Sequence, residues 1–412
     1  MNVEIITIGD ELLIGQVVDT NSAWMGSALN EYGFQVVRKT AVGDVEADMI
    51  DAIDAARGRT PIVLLTGGLG PTRDDMTMHT LCRYFGGKLR FSEELYANIE
   101  RMFRPRGRQL NALTRQQAVV PDNCTVILNQ SGTAPCTWFE RDGFLLVSMP
   151  GVPSEMKWLM THEVLPRLAK RFPRNVYILH RTYWVRGYAE SELAMRLSDF
   201  EDRLPAFVKL AYLPQTGLIR LRLSAYCPQE TVAVDTITAL QTSLEHLLEG
   251  HLLAREDKSI ERIAGERLRA RGYTVGTAES CTGGAIAALL TSVAGCSDYF
   301  VGSVVSYADA VKQHILGVRA QDIREQGAVS REVVEQMAQG ALRALGCDYA
   351  IAVSGIAGPG GGTPEKPVGT VWIAVAGRGV VTSRCHRFGT LREQNIQRAT
   401  LTALLMLLDA LE

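Results

Sequence analysis

The chain has 412 residues, 46% of them hydrophobic and 21% charged, with a formal net charge of −2. That length predicts two or three domains, and the composition is that of a globular protein with sizeable cores, not a disordered or fibrous chain. A near-neutral balance argues against nucleic acid or an acidic membrane surface as partner, and no apolar stretch reaches the ~18 residues of a membrane span.

The first block runs from residue 1 to about 172. Val3 to Ile8 is a short β-branched run of the kind buried in a parallel sheet. Thr20-Asn21-Ser22 is read as the cap of a helix reaching Leu29 and ended by Gly33. Phe34 to Lys39 predicts a second strand, Ala47 to Ala56 a helix, and Ile62 to Leu65 a third strand stopping at Thr66-Gly67-Gly68-Leu69-Gly70-Pro71-Thr72. Strands alternating with helices imply a parallel sheet covered on both faces, with ligands outside the strands' carboxyl ends. The run Arg101 to Arg108 is basic and reads first as a solvated loop, second as a polyanion patch.

A smaller block, residues 173–253, reads as an α+β module. Tyr177 to Val185 and Ile219 to Tyr226 alternate like half-exposed strands, and Ser191 to Leu197 and Val232 to Leu248 like helices. The polar stretch Ala254 to Ser259 is expected to link it to a third block, residues 259–412. There a capped helix begins at Ser259, and strands are expected at Tyr273 to Thr277, Val301 to Ser306, Tyr349 to Val353 and Val368 to Val375. Helices are expected at Ala285 to Leu290, Val333 to Leu345 and Gln397 to Leu411. The eight cysteines (82, 124, 136, 227, 281, 296, 347 and 385) show no metal-type spacing. Without a secretory pattern at Met1 to Gly9, a reducing cytoplasm with free thiols is the expected compartment.

Chemistry concentrates after the third block's strands. Ala278-Glu279-Ser280-Cys281-Thr282-Gly283-Gly284 follows one strand and precedes a helix, so the Ser280 hydroxyl would stand beside unpaired N–H groups. Tyr307 and Lys312 follow a second strand, and a desolvated lysine beside a serine can take its proton. The glycine-rich run Ser354 to Gly362 follows a third, and bare N–H groups in such a loop suit an anion. Arg392, in the stretch Gly389 to Arg392 that precedes the last helix, offers a guanidinium suited to phosphate. In the first block, Asp10, Glu11, Asp74 and Asp75 fall at strand ends, where clustered carboxylates would call for Mg²⁺, Mn²⁺ or Co²⁺. Asp10 reads equally well as a helix or turn start.

The third block resembles the nicotinamide-nucleotide amidohydrolase domain of the CinA family. The matching runs are Ala278 to Gly284, Val305-Ser306-Tyr307 with Lys312, Gly327 to Ser330, Ser354 to Gly361 and Lys366 to Trp372. The first block resembles that family's molybdopterin-binding-like domain through Gly9-Asp10-Glu11, Asp19 to Ser22, Thr66 to Thr72, Asp74-Asp75, Gly132 to Pro135 and Met149 to Met156. The resemblance implies a three-layer α/β/α N-terminal domain, a small α+β middle domain and an α/β/α amidohydrolase domain.

It further implies hydrolysis of nicotinamide mononucleotide to nicotinate mononucleotide and ammonia, with no cofactor, in pyridine-nucleotide recycling. Ser280 would be the nucleophile, with Tyr307, Lys312 and Ser354 as partners. Thr282, Gly283, Gly284, Gly358, Gly361 and Arg392 would hold the substrate. Water attacking directly is the alternative to an acyl-enzyme. For the first block it implies metal-dependent ADP-ribose pyrophosphatase activity, and for the whole chain a cytoplasmic homodimer. A competence-related pterin-binding or scaffold protein is the rival reading. Departures from the family pattern are Ser354 for threonine, Thr390-Leu391-Arg392 for Gly-Asp-Arg, Cys136 for glycine and Thr114 for asparagine.

Overall fold

A computed structural model describes residues 1–412 except 71, 73–74, 104–110, 174–175 and 216, and the side chain of 112. The chain packs as two compact units, 1–179 with 225–236, and 180–224 with 237–412.

The first unit is built on strands β1 (Asn2–Ile8), β2 (Gln35–Val42), β3 (Ile62–Thr66), β4 (Leu89–Phe91), β5 (Val119–Pro121), β6 (Thr125–Ile127), β7 (Cys136–Arg141) and β8 (Phe144–Met149). Its main sheet has the order β2-β1-β3-β8-β7-β6. Alternation along the strands gives it two buried faces. Ile5, Leu64 and Val147 join Met25 and Leu29 on one side; Ile6, Leu65 and Leu146 join Met49 and Ile53 on the other. The helices covering these faces include α2 (Thr20–Glu31) and α3 (Glu46–Arg57); a single turn, α1 (Asp10–Leu13), follows β1. The cap of α2 is Asp19, whose Oδ1 accepts from Ser22 N at 2.9 Å, one residue before the expected Thr20. Asn21 is freed from capping and turns inward.

The sheet is mixed where an all-parallel one was expected. β1, β2, β3 and β8 are parallel, but β7 is antiparallel to β8 and β6 is antiparallel to β7. The cause is local: Asp142-Gly143 joins β7 to β8 with φ of 52° and 75° at the two residues, a two-residue turn that only antiparallel neighbours accept.

Lying for the most part in the second unit, β9 (Tyr177–Arg186), β10 (Val208–Gln215), β11 (Leu218–Cys227) and β12 (Leu252–Ala254) form a sheet of order β10-β11-β9-β12. Trp184, Leu218 and Leu253 share one buried cluster with Leu268, Val275, Ile351 and Leu404. The polar stretch expected as a linker begins as the end of β12, and its Lys258 pairs with Glu266 at 2.8 Å.

Strands β13 (Val275–Glu279), β14 (Phe300–Val305), β15 (Tyr349–Gly355), β16 (Thr370–Gly377) and β17 (Val380–Arg387) follow, in the order β14-β13-β15-β16-β17. β14, β13 and β15 are parallel, and β16 and β17 antiparallel, the last pair turned by Arg378-Gly379 with φ of 51° and 80°. Alanines at 278, 350, 352, 374 and 376 make one face nearly flat. Val334, Met337 and Ala341 of α4 (Arg331–Leu345) pack on it, while α5 (Arg392–Ala410) covers the other face through Leu404 and Leu407. No helix among the described residues is long and apolar enough to cross a membrane.

Candidate active site

Ser280 is the first residue beyond β13. Its N–H donates to Val353 O at 3.0 Å, so the ladder carries the nucleophile candidate past the strand's last pair. Glu279 just before it is fully buried, and its carboxylate accepts from Gly284 N at 3.0 Å, Ile286 N at 3.1 Å, Ala287 N at 2.9 Å and Thr277 Oγ1 at 3.1 Å. The donors include the first N–H groups of the helix Ala285–Thr291, the orphan positive end that favours an anion. A side chain of the protein itself therefore fills the helix terminus where an anionic ligand was expected.

This corrects the anion cradle anticipated over Cys281 to Gly284. Gly284 N serves Glu279, and Gly283 N serves Ser280 O at 3.1 Å. Among the described residues, the N–H groups of Cys281 and Thr282 donate to no other group, so the cradle narrows to these two. Gly283 and Gly284 have φ of 62° and 101°, which is what bends the turn back onto Glu279. Thr282 Oγ1 is buried without a partner. Burial pushes the Cys281 thiol up to about 12, with the nearby Glu279 carboxylate acting the same way, so the cysteine is no rival nucleophile.

Lys312 is buried to 2% side-chain exposure. Its Nζ donates to Tyr307 O at 3.1 Å and to Asp309 Oδ1 at 3.3 Å. Neither partner is the serine hydroxyl the sequence suggested. Tyr307 is exposed, and its hydroxyl accepts from Arg392 Nη2 at 3.3 Å; Arg392 Nη1 donates to Gly358 O at 2.8 Å. One guanidinium thus ties the residues after β14 to the glycine loop after β15.

Ser354, expected among the catalytic groups, is buried and gives its hydroxyl proton to Ala328 O at 2.6 Å. Its role in this geometry is to stitch β15 to the 327–330 turn, because the strand end packs directly beneath that turn. Lys366 ties the same turn from the other side, donating to Val329 O at 2.8 Å. In the glycine loop, Gly358 and Gly361 have φ of 95° and 85°, and a Cβ at Gly358 would lie 2.6 Å from Val368 Cγ1. Among the described residues, the N–H groups of Gly358, Gly360, Gly361 and Gly362 make no hydrogen bond, leaving a row of donors open. Buried Asn395 holds this loop to the 389 turn, donating to Ala357 O at 3.0 Å and to Gly389 O at 2.9 Å and accepting from Gly389 N at 2.9 Å.

Sequence reasoning did not single out Glu279, Asn395 or Lys366. A carboxylate at the end of an apolar strand, immediately before a turn that starts a helix, was the signal for Glu279.

In the first unit, Asp10 and Asp44 bond reciprocally: Asp10 N donates to Asp44 Oδ2 and Asp44 N to Asp10 Oδ1, both at 3.2 Å. Burial raises the Asp44 carboxyl above its usual range, with Asp10, Glu11 and Asp75 adding like charge. Asp75 spends both oxygens on its own loop, accepting from Gly70 N at 2.7 Å and Thr72 N at 2.9 Å. Asp74 lies outside the described residues, as do Arg104 to Arg108 of the basic run. Among the described residues no three acidic, histidine or cysteine side chains form a group able to hold a metal ion. Of the expected metal set Asp10, Glu11, Asp74 and Asp75, the three described carboxylates do not by themselves form such a group. A cavity of about 340 Å³ is lined by Asp75 together with Gly68, Gly70, Thr72, His79 and Gln117 among others.

Comparison with known proteins agrees with this architecture. Residues 4–170 match a family model described as "Probable molybdopterin binding domain", and residues 257–411 one described as "CinA C-terminal domain". A CinA-like protein of Cytophaga hutchinsonii is 41% identical over 408 residues, covering 97% of this chain and 96% of its own. One of Flavobacterium psychrophilum is 40% identical over 409 residues, covering 99% and 98%. Among solved structures, a competence/damage inducible protein from Agrobacterium tumefaciens is 40% identical with a TM-score of 0.36, covering 38% of this chain and 99% of its own. Full-length identity at this level, with both family models matched in order, shows that the chain belongs to the CinA family.

Proposed function

We propose that the second unit hydrolyses the carboxamide of nicotinamide mononucleotide, yielding nicotinate mononucleotide and ammonia. The observation that carries this reading is the Arg392 bridge between the Tyr307 hydroxyl and Gly358 O, next to the unused N–H groups of Gly358, Gly360, Gly361 and Gly362. A cation and a row of bare donors suit a 5′-phosphate, and the Ser280 turn supplies a hydroxyl with two free N–H groups for the amide.

In this reading Ser280 Oγ attacks the carboxamide carbon, and the carbonyl electron pair moves onto oxygen, received by the N–H groups of Cys281 and Thr282. The Tyr307 hydroxyl relays the proton, handing its own to the departing nitrogen as it receives the one from Ser280; the C–N bond breaks and ammonia leaves. Water then cleaves the ester and restores Ser280. Lys312, paired with Asp309, supplies positive charge beneath the turn rather than a base. Ammonia release from nicotinamide mononucleotide by the full chain tests the reading: activity retained in full by Ser280→Ala would retire it.

For the first unit, the cavity of about 340 Å³ beside the Gly68–Thr72 loop supports binding of a nucleotide or pterin. ADP-ribose hydrolysis there is tested by AMP release with Mg²⁺, Mn²⁺ or Co²⁺. The described carboxylates do not form a metal set, so no metal-assisted step is derived.

A further inference from the structure

The three parallel strand ends of the second unit place three serines side by side. Glu279 is the register partner of both Val305 and Val353. The next residue on each chain is a serine: Ser306, Ser280 and Ser354. Ladder bonds persist at this level, Ser306 N to Glu279 O at 2.8 Å and Ser280 N to Val353 O at 3.0 Å. The two outer serines therefore flank Ser280 at about the 4.8 Å strand spacing, with side chains on the same face.

The flanks differ. Ser354 has committed its proton to Ala328 O at 2.6 Å. Ser306 is fully buried, and its Oγ has no hydrogen-bond partner. A buried hydroxyl without a partner costs stability, so its retention calls for an explanation. Beyond it stands Lys312, whose Nζ uses two of its three donors, on Tyr307 O and Asp309 Oδ1. Tyr307 O belongs to the residue after Ser306, so Lys312 is anchored on the segment that carries the orphan hydroxyl.

We propose that Ser306 is a positioning residue that joins Lys312 to Ser280 when substrate is bound: its Oγ, unpartnered in the free chain, then turns to accept the third Nζ–H and to donate its own proton to Ser280 Oγ. No covalent bond changes at Ser306 and no net proton moves through it. The pair of hydrogen bonds aims the Ser280 oxygen and stabilises the negative charge that grows there as its proton departs. This inference rests on the reading of Ser280 as nucleophile.

The test compares the parent, Ser306→Ala and Ser306→Thr in the full chain. The readouts are kcat and KM for ammonia release from nicotinamide mononucleotide, the rate at which diisopropyl fluorophosphate labels Ser280, and melting temperature. The expected result is a kcat about 100-fold lower in Ser306→Ala, the loss typical of removing one donor to developing charge. KM and melting temperature should stay near the parent's, labelling should slow in parallel, and Ser306→Thr should recover most of the rate. Unchanged kcat and labelling in Ser306→Ala would overturn the proposal while leaving the amidase reading intact. Rate and melting temperature falling together, without recovery in Ser306→Thr, would overturn it in favour of a packing role. A parent that releases no ammonia yet is labelled at Ser280 would reject the substrate alone, and the labelling rates would still decide Ser306. A parent neither active nor labelled would reject both.

Discussion

Arg392 Nη2 reaches the Tyr307 hydroxyl at 3.3 Å across 85 residues of sequence, while its Nη1 holds Gly358 O at 2.8 Å. If the guanidinium also receives the 5′-phosphate, Arg392→Met should lower kcat/KM for nicotinamide mononucleotide by about 10- to 100-fold, the worth of one charge-assisted hydrogen bond. Nicotinamide riboside, which lacks the phosphate, should lose much less. Parallel kinetics on both substrates check this, and equal losses would assign the arginine to holding Tyr307.

Glu279 holds the turn that presents Ser280. Glu279→Ala removes the acceptor of three backbone N–H groups and one hydroxyl in a fully buried place. It should destabilise the chain by about 3 kcal/mol or more in denaturant unfolding. Glu279→Gln keeps one acceptor oxygen and should lose less. Equal stability of the alanine variant would show that the carboxylate does not support the turn.

The Lys312 ion pair is lopsided, with side-chain exposure of 2% for the lysine and 52% for Asp309. Asp309→Asn keeps an acceptor oxygen for Lys312 Nζ and should change stability by no more than about 1 kcal/mol. Lys312→Met should abolish most ammonia release, by about 100-fold. A Lys312→Met variant with parental kcat would remove the lysine from the mechanism.

Gly355 has no room for a side chain. A Cβ there would lie 2.6 Å from Val371 Cγ2 and 3.0 Å from Cys281 Sγ. Gly355→Ala should cost about 1–3 kcal/mol from overpacking, and should also lower kcat because the displaced Cys281 adjoins Ser280. Thermal melts with single-substrate kinetics read both effects.

Asp44 offers a pH test. Its carboxyl is raised above 3.8 in the folded chain, by burial first and by Asp10, Glu11 and Asp75 in addition. A raised carboxyl favours folding below its unfolded pKa, and that benefit is lost as pH rises through the folded value. At pH 7 the charged Asp44 therefore opposes folding, and Asp44→Asn should raise the melting temperature there. The gain should vanish below about pH 4. A gain that persists unchanged into acid would contradict the electrostatic cause.

Much of the fold was legible because burial on a sheet writes itself into local pattern. The apolar runs at Val3 to Ile8 and Ile62 to Leu65 became β1 and β3, and Tyr349 to Val353 became most of β15. The antiparallel edges were overlooked: Asp142-Gly143 and Arg378-Gly379 are turn signals only when both residues take positive φ. β10 and β17 were missed because their faces are only partly buried, which blurs the apolar pattern.

By itself the sequence determined which residue types follow which strand: a serine in a helix-starting turn, a lysine, a glycine loop and an arginine, each a nearby matter of chain direction and turn chemistry. Only the tertiary structure decided how they share the work. Hydrogen bonds between segments far apart in order turned Ser354 to Ala328 and Arg392 to Tyr307, and packing left Ser306 buried with no partner. A hydroxyl's proton goes to whichever acceptor packing brings within about 3 Å, and that proximity is set by strand register and helix placement, which no local stretch of sequence contains.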